Sequence, residues 1–101
     1  MSQPGFMPPN YITMKIPKKL KIGGHVVKVK LLERLDGDGE FDTQSNVIFI
    51  DSRLSQSQKE ETLIHEILGF QNPSLHSDNH GLLQAIAHSI YQVLSENRML
   101  R

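Results

Sequence analysis

The chain changes its hydrophobic period about halfway along. Ile16, Leu20 and Ile22 lead to Gly23-Gly24, after which the run His25 to Leu32 is rich in β-branched residues and partly alternates with lysine. That pattern predicts a hairpin about the two glycines. Asp36-Gly37-Asp38-Gly39 is turn chemistry, and Glu40-Phe41-Asp42 and Asn46 to Asp51 flank a second turn. A small antiparallel sheet of hairpins is expected. Beyond Asp51 the spacing becomes helical. Ser57-Gln58-Lys59-Glu60 fits a capping box, Ser55 is an equal candidate for the cap, and Leu63, Ile64, Ile67 and Leu68 recur at helical intervals. A helix over 56–68 follows, ended by Gly69, Asn72 and Pro73. The stretch to Asn79 reads as a loop, and a second helix over 78–97 carries a stripe of Leu83, Ile86, Ala87, Ile90 and Leu94. The predicted class is α+β: a small antiparallel sheet followed by two antiparallel helices.

Residues 1–13 hold three of the five prolines and show no apolar period, so they are expected to form a flexible tail before a single domain over 14–101. At 101 residues the chain can build one core. Without cysteine there are no disulfides, thiol nucleophiles or thiolate metal sites, which leaves His, Asp and Glu as ligands. Neither a membrane span nor a secretory signal is visible, and the expected location is cytoplasmic. The balanced net charge hides two blocks. Met1 to Leu35 has seven basic residues against Glu33 alone, while Asp36 to Glu66 has eight acids against Arg53 and Lys59. Blocks so close are expected to face each other across one sheet and neutralise there. The lysines lack the arginines and interleaved aromatics of a nucleic-acid surface, so such a partner is not expected.

The sharpest chemistry is Thr62-Leu63-Ile64-His65-Glu66-Ile67-Leu68-Gly69. In a zinc peptidase helix, two histidines four residues apart bind the metal and the Glu after the first polarises water. Here Gly69 replaces the second histidine, so the helix offers His65 as its one ligand and Glu66 as candidate base. The bland alternative is an exposed pair, since His65 shares its face with Glu61 and Gly69, opposite Leu63 and Ile67. Asp36-Gly37-Asp38-Gly39-Glu40 begins like a calcium loop, but Phe41 and Val47 occupy positions that need glycine and a bidentate acid, and it reads as a turn. His25 reads as structural.

The motifs Met14-Lys-Ile-Pro, Ile22-Gly-Gly, Asn46-Val-Ile-Phe-Ile-Asp51, Glu61-Thr-Leu-Ile-His-Glu-Ile-Leu68 and Ile90-Tyr-Gln-Val-Leu-Ser-Glu-Asn97, in that order, resemble short phage and prophage zincin-like proteins. These are distant relatives of ImmA/IrrE-type metallopeptidases, and the likeness spans residues 14–97. It implies a minimal zincin-like fold, a zinc cofactor, and a strand beside the cleft, Val47–Ile50, along which a protein or peptide could pair. A three-ligand zinc then needs stand-ins for position 69. His88 has a separation from His65 like that of helix-borne third ligands in such proteins. His80 would approach the end of the first helix in an antiparallel pair. His76 lies in the loop, and for all three an ordinary solvated or capping role is the default. The departure at Gly69 points to a degenerate or inactive metallopeptidase homologue. The alternatives are an active zinc peptidase with Glu66 as general base, and a metal-free protein-binding scaffold. A free edge on so small a sheet would also allow a homodimer.

Overall fold

A computed structural model describes residues 15–33 and 35–97. The tail expected over 1–13 lies outside them. The architecture is α+β: a four-stranded mixed sheet and three helices. The strands are β1 (Lys19–Ile22), β2 (His25–Leu32), β3 (Gly39–Asp42) and β4 (Val47–Asp51). The helices are α1 (Gln56–Gln71), α2 (Pro73–Asp78) and α3 (His80–Glu96).

Gly23 and Gly24 both have positive φ, +57° and +85°, which a two-residue turn twisted to match its strands requires, and Ile22 pairs with His25 across it. Asn46, at φ +57°, closes the β3–β4 turn, while the Asp42 carboxylate accepts from the Gln44 backbone N–H at 2.9 Å.

The sheet is largely antiparallel, as expected, but one of its three pairings is parallel. Its order is β1-β2-β4-β3, and β2 pairs with β4 in parallel, Val29 beside Ile48 and Leu31 beside Ile50. The chain leaves β2, lays β3 at the far edge and returns as β4 in the gap. The β3 hairpin thereby serves as the crossover that parallel strands need. Burial accounts for the order. Val-Ile-Phe-Ile-Asp is the most apolar strand and takes an interior place, with Ile48 and Ile50 wholly buried, whereas lysine-bearing β1 and acid-bearing β3 take the edges. Two expectations fall with it. Val47–Ile50 is laddered on both sides, so it offers no edge for a peptide; among the described strands near α1, β3 has the open edge. The charge blocks share the sheet but do not neutralise in it, because β4 stands between them: Lys28 and Asp42 both face Val47, and Lys30 and Glu40 both face Phe49.

Ser55 caps α1 in a reciprocal box with Gln58, each backbone N–H donating to the other's side chain at 3.2 and 3.0 Å. The helix runs through Gly69 to Gln71, past its expected end. Gly69 is buried inside it, and the Asn72 side chain closes the end by donating to the Leu68 carbonyl at 3.0 Å. The segment expected to be a loop contains α2, with Pro73 in its first turn. Leu63 joins the sheet's core of Ile22, Val27, Val29, Ile48 and Ile50, with Ile67 and Phe70 packed beside it. Leu83 and Ala87 of α3 are buried, whereas Ile86 and Ile90 of the expected stripe are exposed. Helix α1 is therefore covered on two sides, by the sheet and by α3.

Candidate metal centre

Three histidines from three helices converge. His65 projects from the middle of α1, His76 from α2 and His80 from the first turn of α3, and their ligand nitrogens all lie within 4.8 Å of one another. Nε2 of His65 is 3.0 Å from Nε2 of His80. The rings meet edge to face, with centroids 4.7 Å apart for His65 and His80, 4.9 Å for His76 and His80, and 5.9 Å for His65 and His76. Imidazole nitrogens on one tetrahedral ion, at bonds of 2.0–2.1 Å, stand about 3.4 Å apart. The three histidines thus lie close enough to hold a metal ion.

Each ring is placed by identifiable packing. A Cβ on Gly69 would meet Phe41 Cε2 at 2.9 Å and His76 Cδ2 at 3.0 Å, so the missing side chain at position 69 is what lets the His76 ring settle onto α1. Phe41 backs that ring edge to face, with centroids 4.9 Å apart. His80 is held by the start of α3, where the Asn79 side chain accepts from the Leu82 N–H at 3.2 Å. Burial, then the neighbouring His80 and His76, lowers the His65 pKa; burial followed by His80 lowers that of His76. Both shifts favour the neutral imidazole that coordinates metal.

Glu66 lies beside this cluster, not on an exposed face. The residue is 3 % exposed, its Oε2 is 4.0 Å from His65 Nε2, and its Oε1 is buried with no hydrogen-bond partner among the described residues. Burial first, and Glu40 second, raises its pKa to about 7. Gly39 permits the approach of β3: a Cβ there would stand 2.8 Å from Thr62 Cγ2, 2.9 Å from the Phe49 carbonyl and 3.1 Å from Glu66 Cγ. The bland reading of an exposed His-Glu pair fails because β3 packs onto α1 at Glu66 and the His76 and His80 rings pack against His65.

His88 does not join the donor set. It sits two turns beyond His80 on α3, roughly 12 Å along the axis, and its Nδ1 is 3.2 Å from Glu61 Oε1. His25 is exposed at the tip of the β1–β2 hairpin. His76, weighed from the sequence as a loop residue, is the one that joins His65 and His80 in the cluster, in place of His88. Two signals were present: Asn72-Pro73, which suits a helix start, and the four-residue spacing of His76 and His80, the interval sought between positions 65 and 69.

A cleft of about 560 Å³ opens from His65, Glu66 and His80 and extends between α1 and α3. Fold and site together define an α+β protein with a three-histidine candidate metal centre. No family model, curated protein or solved structure matches the chain. Among the described residues, no helix is long and apolar enough to cross a membrane.

Proposed function

We propose that this protein is a zinc-dependent hydrolase of the peptidase type, with His65, His76 and His80 as ligands and Glu66 as general base. The observation that carries this reading is the convergence of three imidazoles beside a buried carboxylate oxygen without a hydrogen-bond partner among the described residues. A bound zinc would supply Lewis acidity. Glu66 would accept a proton from the attacking water and return it to the leaving amine. The flanking cleft would hold the substrate while α3 and β3 exclude bulk water from the carboxylate.

A second reading, a degenerate homologue that binds metal or a protein without catalysis, is favoured by one feature: Gly69 breaks the two-histidine motif, and its replacement comes from a helix of six residues. Elemental analysis of chelator-free protein, followed by peptide hydrolysis, separates the two. About one zinc per chain is expected, lost in His76→Ala and retained in His88→Ala. Glu66→Gln should keep the metal while hydrolysis falls by about a hundredfold or more. Bound zinc with no hydrolysis of any peptide would favour the second reading, and the absence of metal after zinc is offered would overturn the first.

A further inference from the structure

Beyond the histidines the cleft has a second arm, lined by Ser57, Gln58, Glu61, Gln84, His88 and Tyr91. We infer that this arm is a specificity pocket for a cationic side chain, lysine or arginine, on the residue whose carbonyl sits at the metal centre, with Glu61 as the recognising group. The inference rests on the proposed metal site and names the class of ligand that site takes.

The described lining of the cleft includes the carboxylates of Asp38, Glu61 and Glu66 and no lysine or arginine. Glu66, which lines the cleft beside His65, keeps a buried oxygen without a partner among the described residues, as a site that receives a ligand would. Glu61 precedes His65 by four residues, one helical turn, so its Cα stands about 6 Å along the helix from that of His65. A lysine side chain, with its flexible four-carbon stem, bridges about that span. The Gln84 amide and the Ser57 hydroxyl offer further acceptors.

Glu61 is also replaceable in its present pairing. His88 Nδ1 lies 3.2 and 3.3 Å from its two oxygens, but the His88 side chain is 66 % exposed and can swing into water as an ammonium or guanidinium enters. A half-buried carboxylate with an exposed, displaceable partner costs little to desolvate and gains a charge-assisted hydrogen bond.

The test is calorimetric titration of the zinc-loaded full chain with lysine hydroxamate and norleucine hydroxamate, which share a metal-binding head and differ by the terminal ammonium. Lysine hydroxamate should bind about fivefold or more tightly, and Glu61→Gln should bring the ratio near one. A purely structural role for Glu61 would weaken both compounds together and overturn the inference. Equal affinities in the unaltered protein would overturn it while leaving the metal-site reading intact. Failure of both compounds to bind would overturn it together with that reading. A lysine preference without hydrolysis of any peptide would support the pocket and count against the hydrolase.

Discussion

Gly69 carries opposite meanings in the sequence and in the folded chain. Along the helix it is the place where a two-histidine motif would have its second histidine; in space it is the floor on which the His76 ring rests. A prediction follows at this scale. An interior Gly→Ala change ordinarily stabilises a helix by about 1 kcal/mol, but here the added methyl must displace either Phe41 or His76. Gly69→Ala should therefore weaken zinc binding by about tenfold or more, comparable to the loss of a supporting partner around a metal, measured by competition with a chromophoric chelator. Unchanged affinity would show that His76 is not held by this packing. By the same geometry Gly69→His does not restore a ligand, because His76 already fills the space. Glu66 was legible as a candidate base from its place after His65. Its burial was not, because helical phase alone cannot say that β3, through Gly39, will pack onto that side of α1.

Among the elements, local chemistry explains α1 and the two hairpin turns well. The Ser55–Gln58 box, the double glycine and the change of period at Asp51 each act over a few residues and are visible in order along the chain. Helix α2 was missed because Pro73 was read as a breaker, whereas a proline in the first helical turn loses nothing by lacking an N–H. The junction between β4 and α1 gives an element-scale prediction. The Asp51 carboxylate accepts from the Arg53 backbone N–H at 2.9 Å and from its guanidinium at 3.0 and 2.7 Å. These bonds, the guanidinium's first, lower its pKa from 3.8 to about 2. A depressed carboxylate adds stability that is present above its unfolded value and is lost as pH falls from about 4 towards 2. Asp51→Asn should therefore lower the urea midpoint at pH 7, modestly because Arg53 is largely exposed, with the gap closing below pH 4. A gap that persists at pH 2 would assign the loss to the neutral hydrogen bonds instead.

For the whole molecule, the three clustered histidines come from three helices, so a bound ion would tie α1, the short α2 and the start of α3 to one another. Zinc at a hundredfold excess over its Kd would add about 2.7 kcal/mol, a rise in Tm on the order of 10 °C for a chain this small. Scanning calorimetry with zinc and then with chelator should show that rise and its reversal, and His65→Ala should abolish both. A Tm indifferent to zinc would count against the site. By itself the sequence determined the α+β class, the order and approximate limits of the main elements, and the presence of His65, Glu66 and His80 as candidate chemistry, because all of these follow from period, turn residues and local spacing. Only the tertiary structure decided the rest: β4 between β2 and β3, His76 beside His65 and His80, His88 apart from them, and Glu66 buried. Those outcomes depend on which apolar surfaces cover which neighbours. The most apolar strand goes to the interior of the sheet, a second helix closes over the first, and a glycine makes room for a ring eleven positions from His65 along the chain.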